Sequence, residues 1–203
     1  MGKVVALEFM SLDGVVQAPI YEDEDTSHGF RHGGWHRPYL EERSMQWVVE
    51  SVSGAAGFLF GRGTYERFAA YWPHASEEEQ PLARPLNSRP KYVASTTLEE
   101  PLAWQNSRLL RGDVAGAVKA LKREDGELLA IGTPMLVQAL LAHDLVDELR
   151  VMIDPVILGG GKRFFRDDGI CRRLALVSSE ITSTGAILAT WAKTSGALAE
   201  ELT

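Results

Sequence analysis

Three short apolar runs in this chain lead into residues suited to holding an anion. Phe58-Leu59-Phe60 runs into Gly61-Arg62-Gly63-Thr64, Tyr92-Val93-Ala94 into Ser95-Thr96-Thr97, and Leu128 to Ile131 into Gly132-Thr133-Pro134-Met135-Leu136. Glycine removes the Cβ that would keep a ligand from the backbone, and Arg62 supplies a forked donor. Thr64 can cap the segment that follows it. Ser95, Thr96 and Thr97 can donate to phosphate or ribose oxygens without adding charge. Thr133 followed by Pro134 reads as a cap and a first helical residue, so free N–H groups and a helix dipole should favour an anion there. Ligands in an open α/β sheet bind outside the carboxyl ends of the strands, so the three turns are expected to outline one crevice for a nucleotide. Taken singly, each signal is also ordinary turn punctuation or capping, and only their coincidence argues for a ligand.

Other residue patterns are less productive. No Gly-x-Gly-x-x-Gly opens a helix, and Gly159-Gly160-Gly161-Lys162 continues into Arg163 without the upstream spacing of a phosphate-binding loop. The standard dinucleotide and nucleoside-triphosphate motifs are therefore absent. His28, His32 and His36 have the spacing of one helix face and could ligate a metal, but Gly29, Gly33 and Gly34 among them argue for a polar loop and no metal. The lone Cys171 permits no intrachain disulfide and no cysteine-based metal cluster, and Glu77-Glu78-Glu79 reads as a solvated face.

The elements that must position these residues alternate in type. Seven apolar runs rich in β-branched and aromatic residues, at 4–9, 58–60, 92–94, 128–131, 149–153, 174–177 and 187–191, are separated by helical patterns or loops, which reads as an α/β fold. One helix should follow Pro38 and bury Leu40, Trp47, Val48 and Ala55. A second should be capped by Asp113, bury Val114, Ala117, Val118 and Leu121, and stop at Gly126. A third should start at Thr133-Pro134 and bury Leu136, Ala139 and Leu140. The long connections 14–37 and 72–90 are expected to be active-site walls, and the tail from 194 to 203 to fray.

Composition narrows the function. The 203 residues carry 45% apolar and 24% charged side chains, as a single globular domain should. Twenty-one Lys and Arg against 28 Asp and Glu give a net charge of -7, which argues against nucleic acid or an anionic membrane as the main partner. The apolar run at the start breaks at Glu8, and no stretch approaches a membrane span, so a cytoplasmic protein is expected.

The ordered set Ser11-Leu12-Asp13-Gly14, Gly61-Arg62-x-Thr64-Tyr65, Leu145-Val146-Asp147-Glu148-Leu149 and Pro155-Val156-Ile157-Leu158-Gly159-Gly160-Gly161 resembles the dihydrofolate-reductase-like family. Within it, the motifs resemble the branch containing the reductase domain of the riboflavin deaminase-reductase, over about Lys3 to Trp191. The resemblance implies a three-layer αβα sandwich with a mixed central sheet, and an NADPH-dependent oxidoreductase acting on a small heterocyclic or carbonyl substrate. That substrate could be 5-amino-6-(5-phosphoribosylamino)uracil. Arg62 and Thr64 would face the cofactor phosphates, Ser95 to Thr97 the adenosine side, and Gly132 to Leu136 the pyrophosphate and nicotinamide ribose. Asp13 is the candidate for a polar role near the reacting centre, against the reading that Asp13-Gly14 is a turn dipeptide. Trp35 either walls the substrate pocket or packs in the interior. Leu40 and Met45 stand near the place where dihydrofolate reductases carry a carboxylate on the first helix, which weighs against folate as substrate. A nucleotide-binding sensor without turnover is the alternative from another class. Strands near Leu149 and Ile187 are expected to extend a sheet across a homodimer axis.

Overall fold

The computed structural model describes residues 1–194; the tail residues expected to fray beyond Thr194 lie outside the described residues. Eight strands form one mixed sheet in the order β4-β3-β2-β5-β1-β6-β8-β7. The chain divides into two compact units, the first comprising Met1–Leu7 and Gln46–Val146, the second Glu8–Met45 and the chain from Asp147 onward.

The first unit is parallel. It contains the start of β1 (Lys3–Ser11), then β2 (Gly57–Gly61), β3 (Lys91–Ala94), β4 (Ser107–Leu110) and β5 (Glu127–Ile131). Parallel strands are covered on both faces, so they read as near-continuous apolar runs and not as alternating ones. Val4, Val5, Phe58, Leu59, Phe60, Val93 and Leu129 are accordingly all fully buried. Phe60 also stacks on Trp104, with ring centroids 6.0 Å apart.

Among the described residues, five α-helices connect the strands: α1 (Glu42–Gly54), α2 (Arg62–Tyr71), α3 (Gln80–Ser88), α4 (Val114–Leu121) and α5 (Pro134–Ala142). The Asp113 carboxylate accepts from the Gly116 amide at 2.8 Å, as a cap should. Elsewhere the local signals mislead. The residues after Pro38 form only a single 3-10 turn over Arg37–Tyr39, and Leu40 is extended, so α1 starts at Glu42. Thr64 does not cap α2, because the helix begins directly at Arg62 with Gly61 in the cap position. The connection 72–90 is largely helical: Ser76 and Glu79 form a capping box ahead of α3. The second long connection, 14–37, does stay irregular, with one 3-10 turn at Ser27–Gly29.

The second unit contains β6 (Glu148–Asp154), β7 (Leu174–Ile181) and β8 (Ile187–Lys193), with β8 antiparallel to both of the others. Its hairpin closes through Gly185 at φ +82, whose amide donates to the Thr182 carbonyl at 3.0 Å. Because β6 and β8 both have neighbours on each side, the strands at Leu149 and Ile187 offer no free edge. Among the described residues, the free edge of this half belongs to β7.

Lys91 illustrates how the first unit closes the end of a helix. Its side chain is fully buried, and its ammonium donates to the carbonyls of Leu86, Asn87 and Arg89 at 2.8, 3.2 and 2.9 Å. These are carbonyls that α3 leaves unpaired at its C-terminus. Burial lowers the Lys91 pKa from 10.5 to about 8. Between those values the unfolded chain holds a proton that the folded chain has released, so folding stability rises with pH. Urea unfolding at pH 8 and pH 10 should show wild type gaining up to about 1.4 kcal/mol per pH unit relative to Lys91→Met. Parallel pH profiles for the two proteins would refute this.

Candidate functional site

The carboxyl ends of β3, β2 and β5 lie side by side in the first unit. Gly61 pairs in register with Ala94, and Leu59 with Ala130, so all three strands run out at one edge of the sheet. The turns beyond them are joined by side chains. Thr133 Oγ1 accepts the Gly61 amide at 2.7 Å, the Thr64 hydroxyl donates to the Gly132 carbonyl at 2.6 Å, and Arg62 Nη1 donates to Thr97 Oγ1 at 2.6 Å. These bonds bring Gly61, Arg62, Thr64, Thr97, Gly132 and Thr133 into one continuous rim.

Several roles differ from those suggested by residue type. Thr133 occupies the cap position of α5 but makes no side-chain cap bond; its hydroxyl faces Gly61 instead. Arg62 is partly committed, since its Nε also donates to Glu66 Oε1 at 2.8 Å. Ser95 Oγ accepts from the amides of Thr97 and Leu98 at 3.1 and 3.0 Å, so it shapes its turn. Thr96 is exposed and has no hydrogen-bond partner among the described residues. Met135 is exposed, whereas Leu136 is buried and belongs to the core.

The rim gathers hydrogen-bond donors of the kind that suit an anion. Helices α2 and α5 both begin on it; in α5 Pro134 has no N–H and the Leu136 amide donates to the Thr133 carbonyl at 3.0 Å, so the first-turn amides left without an acceptor lie chiefly on α2. A Cβ on Gly61 would lie 2.9 Å from Thr133 Oγ1, so this position must be glycine for the turns to meet. Gly132 has φ +59, a conformation glycine adopts freely, while a Cβ on Gly63 would meet nothing within 4 Å. The backbone is thus bare where a phosphate would approach. The Thr96 hydroxyl and the remaining Arg62 nitrogen add donors beside it.

The second unit holds Asp13 and Trp35. Asp13 Oδ1 accepts from Ser11 Oγ at 2.7 Å and from the Leu158 amide at 3.2 Å, and Oδ2 accepts from the Gly159 amide at 3.0 Å. Burial works against its charge, but these bonds outweigh it and hold the carboxyl below its ordinary range. An ionised carboxylate that accepts one hydroxyl and two loop amides ties the turn after β1 to Leu158 and Gly159, as the turn reading of Asp13-Gly14 expects. Trp35 is buried and donates from Nε1 to the Gln17 carbonyl at 2.8 Å, so it packs in the interior.

The histidines separate. His28 and His32 are exposed, while His36 is completely buried, stacked on Phe9 with centroids 3.9 Å apart, and its Nδ1 lies 2.7 Å from Asp154 Oδ2. Burial pushes the Asp154 carboxyl up, with His36 opposing the shift. Nothing in the sequence pairs two residues so far apart. No cluster of three or more His, Cys, Asp or Glu residues able to hold a metal occurs among the described residues. Glu41 is spent on Ser183 through its hydroxyl and amide, and Glu42 and Glu50 are exposed, so α1 and its approach carry no buried carboxylate.

Comparison with known proteins agrees with this architecture. The family model described as RibD C-terminal domain matches residues 2–188. A protein of Bacillus subtilis (strain 168), the uncharacterized protein YyaP, is 29% identical over 132 residues, covering 64% of this chain and 69% of its own. A structure from Shewanella sp. PV-4, described as a riboflavin biosynthesis protein, superposes with TM-score 0.71 at 19% identity, covering 95% of this chain and 99% of that one. The diaminohydroxyphosphoribosylaminopyrimidine deaminase/5-amino-6-(5-phosphoribosylamino)uracil reductase of Thermotoga maritima gives 0.63 at 14% identity, covering 95% of this chain and 57% of that one. Dihydrofolate reductase of Enterococcus faecalis, complexed with NADP(H), gives 0.60 at 13%, covering 95% and 97%. The fold is therefore α/β and dihydrofolate-reductase-like.

The bond between Thr133 and Gly61 is the most exposed to test. Thr133→Val keeps the shape but leaves the Gly61 amide without its acceptor, which should cost about 1–3 kcal/mol in chemical denaturation. Thr133→Ser should recover most of that loss.

Proposed function

The chain belongs to the RibD C-terminal domain family, and on that premise we propose that it is an NADPH-dependent reductase. Its acceptor is a small heterocyclic or carbonyl compound, 5-amino-6-(5-phosphoribosylamino)uracil being the leading candidate. The observation that carries this reading is the rim in which Gly61, Arg62, Thr64, Thr97, Gly132 and Thr133 are directly hydrogen-bonded where three parallel strands end.

When bound, a nicotinamide cofactor supplies the hydride. The chain's own residues have other work. First-turn amides of α2 bind the anionic part of the dinucleotide, helped by the dipoles of α2 and α5. Arg62 stands above this cradle at the edge of the β3 turn, where with Thr96 and Thr97 it can hold an additional phosphate on the adenosine side. That is the basis of a preference for NADPH over NADH. Glycine at 61 and 132 lets the backbone approach the ligand. Orientation of the cofactor, and not covalent assistance, is what such a site contributes. Folate as substrate is disfavoured by the lack of a buried carboxylate on α1. A non-catalytic nucleotide sensor finds support in one feature, the occupied state of Asp13.

We further propose a homodimer formed through β7. That edge strand exposes Leu176, Val177 and Ile181, which are 58%, 61% and 75% accessible. An open apolar edge is a template for pairing with a second copy.

Two measurements test these readings. NADPH at 100 times its dissociation constant should stabilise the protein by about 2.7 kcal/mol in a thermal-shift titration, with NADH weaker and Arg62→Ala removing much of the difference. No shift with either nucleotide would end the reductase reading, and binding without turnover of any pyrimidine or carbonyl substrate would favour the sensor. Light scattering should report a dimer for wild type and a monomer for Val177→Lys; a monomeric wild type would exclude the β7 interface.

A further inference from the structure

The interior of the second unit holds an ionisable pair for which the proposed reaction has no use. His36 and Asp154 are both fully buried, with Nδ1 2.7 Å from Oδ2. The imidazole stacks on Phe9 with centroids 3.9 Å apart, and Trp35 meets it edge-on at 6.1 Å. Beyond their mutual bond, His36 Nε2 and Asp154 Oδ1 are buried with no hydrogen-bond partner among the described residues. Charged groups on the surrounding elements are turned elsewhere. On β6 Arg150 pairs with Glu148, and at the start of α1 Arg43 pairs with Glu180 of β7. Arg37, next to the imidazole in sequence, is exposed. Glu8 precedes Phe9 on β1, so strand alternation sends it to the opposite face, and Lys193 lies at the far end of β8 from Asp154. Burial and His36 are what act on the Asp154 charge.

The pair joins an irregular segment to a regular one. His36 belongs to the connection 14–37, and Asp154 is the last residue of β6. Neighbouring bonds fold the connection back on itself. The Gly34 amide donates to the Ala18 carbonyl at 2.9 Å and the His36 amide to the Pro19 carbonyl at 3.0 Å. Trp35 Nε1 donates to the Gln17 carbonyl at 2.8 Å. The His36 imidazole reaches instead across to the sheet, so this one bond carries the segment around residue 36 onto the end of β6.

With one shared proton the pair has no net charge, whether it is imidazolium beside carboxylate or imidazole beside carboxylic acid. Without that proton the carboxylate keeps a full charge away from water, and Oδ1 has no donor to stabilise it. An uncompensated buried charge is expensive, and local opening that returns it to water relieves the cost. Burial accordingly pushes the Asp154 carboxyl up, with His36 opposing the shift. A carboxyl whose folded value is raised contributes stability that is present below its ordinary value and lost as the pH rises through the raised one. We propose that His36 and Asp154 form a pH-sensitive latch, which holds the 14–37 connection on the end of β6 while the shared proton is present and lets it open once the proton leaves. Residues 28–32 of the same connection wall a cavity of about 360 Å³ that faces the 158–162 loop, so the latch sets how firmly that wall is held. The latch does not depend on the reductase reading.

Amide hydrogen exchange on the full chain tests the latch between about pH 5 and about pH 9, read as opening constants after correction for the intrinsic pH dependence of exchange. The hydrogen-bonded amides of Gly34, His36, Arg37 and Tyr39 should open up to about tenfold more often for each pH unit across the titration, while those of β2 hold steady. Asp154→Asn removes the titrating carboxyl and keeps an acceptor for His36 Nδ1, so its profile at these amides should be flat. The proposal is overturned if the wild-type profile is flat, if opening increases toward acid, if it increases only together with β2, or if Asp154→Asn responds to pH as wild type does. Wild type decides even where the variant fails to fold, because a flat profile at residues 34–39, or one that tracks β2, excludes a local latch.

Discussion

Parallel strands that are buried on both faces must all end at the same edge, and the backbone groups beyond their ladders then need partners. In this protein the partner at the junction of β2 and β5 is a side chain. Thr133 Oγ1 takes the Gly61 amide, and Thr64 returns a bond to the Gly132 carbonyl. This reciprocal pair ties the first turn of α5 to the first turn of α2, so neither helix start can move without the other. The anion-binding role proposed for the rim rests on that constraint, because donors that are fixed in advance need no ordering when a ligand arrives. The glycine at 61 is part of the same arrangement, since a side chain there would collide with Thr133 Oγ1.

The second unit solves a related problem with different means. Its loops carry little regular structure, and single polar side chains hold them. Asp13 gathers the amides of Leu158 and Gly159, Gln17 bridges the segment near Asp25 to Lys162, and His36 is pinned between Phe9 and Asp154. Such groups resemble catalytic residues when seen as isolated letters. The bonds of Asp13 and Gln17 mark them as scaffolding, whereas His36 Nε2 and Asp154 Oδ1 are buried without a hydrogen-bond partner among the described residues.

These two patterns account for how much of the molecule was legible. The apolar runs at 58–60, 92–94 and 128–131 became parallel strands because continuous burial leaves a continuous apolar record. The run at Ser107–Leu110 was too short and too polar at its start to be recognised, although β4 pairs along its whole length with β3. Helix α4 carried its cap and its periodicity in eight residues. Helix α2 hid behind two glycines, which lower helix propensity, and is held in place by Tyr65 and Phe68 packing on Trp104 and Phe60. Helix α3 was masked by residues that read as a loop: Pro81 and Pro85 lie within it, and the glutamates before it read as a solvated run although Glu79 closes the capping box at its start.

The sequence by itself determined the α/β class, the strands whose ends carry glycine and hydroxyl residues, and the family to which those motifs point. These are local properties, written in composition, spacing and order. Only the tertiary structure decided which hydroxyl bonds which amide, that Thr133 serves Gly61 and not its own helix, that Asp13 gathers the amides of Leu158 and Gly159, and that His36 meets Asp154 118 residues away. Such pairings depend on where distant segments are brought together, and a hydrogen-bonding side chain carries no record of its partner until folding supplies one.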